Sequence, residues 1–269
     1  MAEAALTPPR RWRPPPLIKS TPLRWALFAA AALYLAVAFG TLDVNWTRLA
    51  EGAPRAVRFL AGFFPPDFVT RGDAILRGVL ESIWMTVAAT AVGVALAVPL
   101  AVGGASNLAP RPVYLACRAV MAVSRTFPEI LVAIFFVKLF GFGTFAGFLT
   151  LTFATVGFNA KLLAEDIEAV NPAPVEAVRA TGAGWFAWLA FSIQPQVMPR
   201  FIGLAMYRLD INFRESAIIG IVGAGGIGAT LTTAFERYEY SSAAAILIVI
   251  IILVMAAELT SGRVRRWVQ

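Results

Sequence analysis

Six charged residues interrupt two long apolar stretches of this sequence, and their types and spacing are its clearest chemical signal. They are Arg125, Glu129, Arg208, Asp210, Arg214 and Glu215. Two pairs, Arg125 with Glu129 and Asp210 with Arg214, are four residues apart, which places each pair on one face of a helix. Charges inside an apolar segment must face protein or water, because burying them unpaired costs several kcal/mol. The sequence is compatible with two roles for these charges: they pair with one another, or they line a path for a polar solute.

The cationic excess among these charges favours a phosphonate or phosphate anion over a sugar or an amino acid as the solute. It does not indicate catalysis. The sequence contains no histidine and a single cysteine, Cys117, so it offers no Cys/His metal site and no Ser–His or Cys–His pair. It also lacks the G-x-x-x-x-G-K-[ST] pattern that cradles the phosphates of ATP. We predict no metal, no cofactor and no catalytic residue.

A glycine-rich run formally matches the G-x-G-x-x-G pattern of dinucleotide-binding sites. That pattern is informative only in a soluble βαβ unit with an acidic residue about 20 positions later, and this position falls near Ile248 in an apolar run. The glycines are expected instead to break a helix and to let backbone line the outer end of a path. The residues concerned are Gly223, Gly225, Gly226 and Gly228.

Composition determines the class of protein that must position these residues. Of 269 residues, 59% are hydrophobic and 14% are charged, which indicates a polytopic, all-α membrane protein. The net charge of +7 arises largely from arginines at the two ends and in short loops. That is the positive-inside pattern of membrane proteins, so nucleic acid is not the expected partner.

Six transmembrane helices are predicted from the apolar runs. They cover residues 25–42, 76–102, 113–140, 144–163, 201–222 and 243–259. Residues 1–23 are rich in proline and arginine and are predicted to be a cytosolic tail, with the transmembrane domain at 24–269 and both termini in the cytosol. Residues 43–73 are expected outside, either as an amphipathic helix on the membrane surface or as a plain loop. Glu81 is either an interfacial carboxylate or a residue of the outer mouth.

The segment 171–200 is modestly polar within this apolar chain. Asn171 and two prolines break the preceding helix, and a short helix is expected from Glu176 to Thr181, with the Glu176 carboxylate near its positive N-terminal end. Gly182 permits a bend, and Pro195 marks the entry to the next apolar run. An ordinary cytosolic loop is the alternative.

The spacing of Glu176, Ala177, Gly182 and Pro195 resembles the EAA loop of ABC importer permeases. Ser192 and Gln194 replace the Ile and Leu usual before that proline. Residues 161–168 and 220–228 are similar to the corresponding parts of phosphonate-import permeases of the PhnE type. The resemblance extends from about Leu76 to the C-terminus.

This resemblance implies a MetI-like, type I ABC importer permease fold in the bacterial inner membrane, with a cytosolic coupling helix in the EAA-like loop. It implies three protein partners besides membrane lipid: an ABC ATPase dimer, a second identical or homologous permease, and an extracytoplasmic substrate-binding protein. The implied cargo is phosphonate, phosphate or phosphite. The alternative function is a secondary transporter that uses the buried carboxylates as proton sites.

Overall fold

The computed structural model describes residues 18, 20–42 and 45–268. Within these residues it contains eleven α-helices, one π-helical turn and no strand. The predicted all-α class is therefore confirmed. The chain divides after Arg58 into two compact units.

The first unit contains α1 (Thr21–Thr41) and most of α2 (Trp46–Ala61). No residue of α1 is buried, and its apolar side chains surround it, as is typical of a helix in lipid. In α2 three arginines lie opposite most of the apolar residues, so the amphipathic helix, not the plain loop, forms here. Its place on the outer surface stays a prediction. The predicted tail lies mostly outside the described residues, and α1 begins within it.

The second unit contains the other nine described α-helices and the π turn at Leu189–Ile193. The helices are α3 (Gly72–Gly103), α4 (Arg111–Thr126), α5 (Glu129–Phe140), α6 (Thr144–Glu168), α7 (Pro172–Ala180), α8 (Trp185–Trp188), α9 (Gln194–Ile221), α10 (Gly226–Glu236) and α11 (Tyr240–Val268). The short helix α10 was not predicted from the sequence.

Four of the described helices, α1, α3, α6 and α11, are long and apolar enough to cross a membrane. The bent pair of α4 and α5 makes a fifth if it counts as one span. The sixth predicted span is α9, whose 28 residues extend about 42 Å at 1.5 Å per residue. Its length suffices for a crossing, but its charged residues keep it below the apolarity of the other spans.

The span expected at 113–140, in which Pro128 predicts a kink, is bent more sharply than a kinked helix. The chain bends by 92° between α4 and α5, at Phe127 and Pro128. Both residues have extended backbone, because proline disfavours the helical conformation of its predecessor and cannot continue the hydrogen-bond ladder. Arg125 lies in the last turn of α4 and Glu129 begins α5, so the two do not share a helix face.

Helices α3 and α6 run parallel and pack closely along their lengths. Gly147 is one reason for the close approach, since an added Cβ would lie 2.3 Å from Met85 Sδ and 2.4 Å from the Ala224 carbonyl oxygen. At the other end of the pair, Asn107 Nδ2 donates to the Ile167 carbonyl oxygen at 2.9 Å. Helix α9 runs antiparallel to both, and its buried face completes the core of the second unit.

An ion pair connects the segment before α3 to the turn between α10 and α11. Arg71 Nη2 donates to Glu239 Oε1 at 3.1 Å, and Arg71 Nε donates to Glu239 Oε2. Nearby, Asp67 N donates to the Ser241 carbonyl oxygen at 3.0 Å. The hydrogen bond from Arg71 lowers the pKa of Glu239 below its ordinary value of 4.5, and burial opposes this only in part.

This ion pair predicts a pH-dependent contribution to stability. Because the folded-state pKa of Glu239 is lowered, its stabilisation is present above the ordinary pKa and is lost as the pH falls through the lowered value. We expect the melting temperature of wild type to exceed that of Glu239→Gln at pH 7, with the gap closing as the pH falls below the ordinary pKa of a glutamate. In an Arg71→Gln background the same substitution should produce a much smaller pH-dependent gap. A gap that widens on acidification would contradict the pairing.

Candidate functional site

A buried polar cluster lies where α9 packs against α3, α5 and α6. Its centre is Arg208, whose side chain is only 5% exposed. Arg208 Nη2 donates to Glu129 Oε1 at 2.7 Å, and the guanidinium carbon lies 5.5 Å from the centre of the Phe158 ring. Glu129 occupies the first turn of α5, where the helix dipole favours a carboxylate. The break between α4 and α5 thus positions the partner of Arg208.

The hydroxyl of Thr155 joins this ion pair to a second group of polar residues. Thr155 Oγ1 accepts from Arg208 Nε at 3.3 Å and from Asn212 Nδ2 at 2.9 Å. Asn212 Nδ2 also donates to Thr90 Oγ1 at 2.9 Å, so α3, α6 and α9 are connected through one amide. Thr90 and Thr155 were not predicted from the sequence as members of a site, and Asn212 was not assigned a role. The available signal was that Asn212 lies four residues after Arg208, on the same face of the helix.

The other predicted charges of α9 differ in burial, since Asp210 is buried, Glu215 is half-buried and Arg214 is exposed. Arg214 Nη2 lies 3.4 Å from Asp210 Oδ2, with side-chain exposures of 55% and 9%. Glu215 lies within electrostatic reach of Glu129, Arg208 and Arg214. Of the pairing considered between α9 and residues 125 and 129, only the pair of Glu129 with Arg208 forms. Asp210 instead pairs with Arg214 in its own helix.

Arg125 does not join the cluster by an ion pair with any residue that the structure describes. Its aliphatic part packs near Gly157, where an added Cβ would lie 3.4 Å from Arg125 Cγ. The six predicted charges comprise three arginines and three acids, so their formal charges cancel. The expected cationic excess is therefore wrong for this set, and charge alone does not select an anion.

Helix α7 contains the EAA-like residues on an exposed surface. It begins at Pro172, because Asn171 caps it by accepting from Ala173 N at 3.0 Å. The expected start at Glu176 is therefore wrong, and this carboxylate lies beyond the first turn. Glu176 and Ala177 are exposed, as are Gly182 and Pro195 in the same segment. This surface is free to contact another protein.

The inner side of α7 contacts α8, and Gln196 at the start of α9 contacts the residue that caps α7. The guanidinium of Arg179 lies 4.0 Å from the centre of the Trp188 ring, and Val175 is buried. Gln196 Nε2 donates to the Ser192 carbonyl oxygen at 2.7 Å, and its Oε1 accepts from Asn171 N at 2.9 Å. Helix α7 is thus connected to the first turn of α9 through Asn171 and Gln196.

The glycine-rich run breaks the helix as predicted. Helix α9 ends at Ile221 and α10 begins at Gly226, with positive φ at Gly223, Gly225 and Gly226. Gly228 lies so close to α9 that an added Cβ would approach the Ala217 carbonyl oxygen to 2.1 Å. We call residues 223–228 the glycine junction. The role of the glycine junction as an outer gate stays a prediction.

Two residues of α3 hold the glycine junction in place. Glu81 Oε2 accepts from Gly226 N at 3.2 Å, and Ser82 Oγ accepts from Ile227 N at 3.0 Å. Both acceptors satisfy amides at the start of α10, which have no partner within the helix. Glu81 thus contacts the glycine junction, and both alternatives for its role stay open. Among the described residues no group of three His, Cys, Asp or Glu side chains is placed to hold a metal ion.

The chain matches known membrane transport proteins over most of its length. The family model described as "Binding-protein-dependent transport system inner membrane component" matches residues 89–269. The phosphate-import permease protein PhnE of Mycolicibacterium smegmatis is 35% identical over 229 residues, which cover 85% of this chain but only 43% of that protein. The phosphite transport system permease protein PtxC of Stutzerimonas stutzeri is 38% identical over 228 residues, covering 84% of this chain and 82% of the relative.

The fold is also similar to that of a solved transporter. A chain of the MetNI methionine ABC transporter, in an inward-facing conformation, superposes with a TM-score of 0.63 at 24% identity, over 72% of this chain and 95% of that chain. This likeness confirms the predicted MetI-like fold. The chain belongs to the family of inner-membrane components of binding-protein-dependent transport systems, and it is a transport permease, not a catalytic enzyme.

Proposed function

We propose that this chain is the permease subunit of an ATP-driven importer for phosphorus oxyanions: phosphonate, phosphate or phosphite. The observation that carries the proposal is its similarity, over more than four-fifths of its length, to permeases named for phosphate and phosphite. Family membership favours this function over the ion-coupled transporter, the alternative that the buried carboxylates had left open. The exposed EAA-like surface of α7 supports an ATPase partner.

The proposed mechanism uses α9 as a rigid connection between two functional regions. Two copies of the permease, or two homologous permeases, pair in the membrane, and an ATPase dimer binds their α7 helices from the cytosol. ATP binding brings the ATPases together and displaces α7, and the contact between Asn171 and Gln196 transmits this displacement to α9. The same helix contributes Arg208 and Asn212 to the buried polar cluster and ends at the glycine junction. Its movement would therefore change both. An external binding protein delivers the oxyanion.

A transport assay tests the energy source. The permease, its ATPase and its binding protein are reconstituted in liposomes, with the binding protein outside and ATP inside. Uptake of labelled phosphate, phosphite or methylphosphonate is expected only with hydrolysable ATP, and it should persist when an ionophore collapses the proton gradient. Uptake driven by the gradient without ATP would overturn the proposal and support the ion-coupled alternative.

A binding assay on the external protein identifies the cargo. Isothermal titration of that protein with methylphosphonate, phosphate and phosphite should show one of them binding at least about tenfold more tightly, a difference of about 1.4 kcal/mol. A sugar or an amino acid as the only ligand would contradict the oxyanion assignment while leaving the ATP-driven mechanism intact.

Topology gives a further prediction. We expect α7 in the cytosol and the segment before α3 outside, as the distribution of arginines indicates. In a Cys117→Ala background, a membrane-impermeant maleimide added to intact cells should label Val69→Cys, whose side chain is 89% exposed. Ala173→Cys, which is also exposed, should react only after the membrane is opened. Labelling of Ala173→Cys from outside would reverse the orientation.

A further inference from the structure

An open lateral groove lies between α3 and α6, away from the buried polar cluster. Its volume is about 510 Å³, and it is lined by side chains of both helices. From α3 come Arg77, Glu81, Trp84 and Ala88, and from α6 come aromatic rings that include Phe145. The Trp84 side chain is 71% exposed and that of Phe145 is 56% exposed. We call this feature the lateral groove.

The four α3 residues form one stripe along the helix. Their spacings of four, three and four residues keep them within about 60° of one another at 100° per residue. Over the stripe the chain advances about 16 Å into the span. The two charged residues come first, near the start of α3, and the apolar residues follow deeper in the membrane.

This order of polarity matches one class of ligand. A phospholipid presents a charged headgroup at the membrane surface and an acyl chain below it. The Arg77 guanidinium is placed to bind the phosphate, and aromatic side chains at this depth suit the boundary between headgroup and acyl chain. Trp84, Ala88 and Phe145 provide the apolar surface beneath.

Glu81 adds selectivity for the headgroup. One of its carboxylate oxygens, Oε2, accepts from Gly226 N at 3.2 Å, and Oε1 can accept from an ammonium donor. A cation and a carboxylate four residues apart complement the phosphate and the ammonium of a zwitterionic headgroup. We infer that the lateral groove is a binding site for phosphatidylethanolamine, with its phosphate on Arg77, its ammonium on Glu81 and an acyl chain along Trp84.

The inference does not depend on which solute is transported, because lipid retention is measured without transport. The transporter complex is reconstituted in phosphatidylcholine nanodiscs containing a minor fraction of dioleoyl phosphatidylethanolamine. It is then extracted, washed in detergent, and its retained phospholipids are quantified by mass spectrometry. Wild type should retain phosphatidylethanolamine several-fold above its share of the bilayer.

Three variants distinguish the groove from general lipid adhesion. Arg77→Gln should reduce the retention of phosphatidylethanolamine about tenfold, since it removes the charge-assisted contact to phosphate. Ala88→Phe, which fills the groove without changing charge, should reduce it as well and provides the test if Arg77→Gln fails to assemble. Arg237→Gln is the matched control, because Arg237 is a cation outside the groove and its loss should leave retention unchanged.

Several results would overturn the inference. Equal retention in wild type and in both groove variants would show that the groove holds no lipid. Displacement of the lipid by millimolar inorganic phosphate would show a phosphate site that does not need an acyl chain. A disulfide between two copies with Phe145→Cys, formed at the expense of lipid retention, would show that a second copy of the permease covers the groove.

Discussion

Replacing Arg208 with alanine is expected to lower the amount of assembled transporter severely. The side chain is 5% exposed, and its loss leaves Glu129, itself 25% exposed, without its partner at 2.7 Å. Breaking a buried ion pair from one side costs about 3 to 5 kcal/mol. We expect about 3 kcal/mol, because Glu129 keeps some contact with solvent. The measurements are the yield of the purified complex and its melting temperature.

Two companion variants separate the unpaired charge from lost packing. The double variant Arg208→Met with Glu129→Gln removes both charges and should recover much of the stability, which a double-mutant cycle would show as a large coupling energy. Arg208→Lys keeps the charge but loses the guanidinium contact with Thr155, so it should be intermediate. A normal yield and melting temperature for Arg208→Ala would show that the ion pair does not support the fold.

Arg214 provides the matched contrast, because its side chain is 55% exposed and lies 3.4 Å from Asp210. The pair is only partly exposed, because the Asp210 side chain is 9% exposed and would lose its partner. Arg214→Ala should therefore cost more than the ~1 kcal/mol of an exposed pair but less than Arg208→Ala, and more of the complex should assemble. If Arg214 meets the oxyanion, uptake per assembled complex should fall at least about tenfold, and lysine should rescue it only in part. Full uptake by a normally assembled Arg214→Ala complex would exclude both predicted roles of this residue, in pairing and in the path.

Replacing Gly182 with tryptophan is expected to abolish ATP-driven uptake while leaving the permease in the membrane. Gly182 has φ +78°, and nothing lies within 4 Å of an added Cβ, so a side chain there projects outward next to α7. On the proposed mechanism this is the surface that binds the ATPase, and a bulky ring would block the contact. Uptake should fall by at least about tenfold, equivalent to 1.4 kcal/mol of lost coupling.

Gly182→Ala separates steric obstruction from backbone strain. It imposes the same positive φ on a residue with a Cβ, at a cost of about 1 to 2 kcal/mol, without the ring. We expect Gly182→Ala to retain most of the uptake, and Glu176→Lys on the exposed side of α7 to lose it. Membrane insertion is checked by the yield of the folded permease. Normal uptake by Gly182→Trp would remove the basis for assigning α7 as the coupling helix.

The broad architecture was predictable because it depends on local properties of the chain. Apolar runs long enough for a membrane predicted α1, α3, α6 and α11, since a spanning helix satisfies its own backbone groups and needs no particular neighbour. The break after α9 was also predictable, because a cluster of glycines is a local signal for a break in a helix. The EAA-like spacing likewise indicated the family without any knowledge of contacts.

The size of the bend at Pro128 could not be predicted from local sequence. Proline predicts a disturbance of the helix, but the angle depends on which groups satisfy the freed carbonyls and on what each half packs against. Here the angle is 92°, which separates Arg125 from Glu129 and directs Glu129 towards α9. A mild kink would have kept the two residues on one face, as the spacing alone suggested.

By itself the sequence determined an all-helical inner-membrane permease and the approximate positions of its spans, and it indicated the segment that we propose as its coupling surface. Only the tertiary structure decided which charges pair. Glu129 meets Arg208 across 79 positions of sequence, and Asn212 meets Thr90 across 122. Such partners are brought together by the parallel packing of α3 and α6 and by the angle between α4 and α5. Spacing along a helix indicates which side chains share a face, but the neighbour opposite that face depends on the packing of the whole chain.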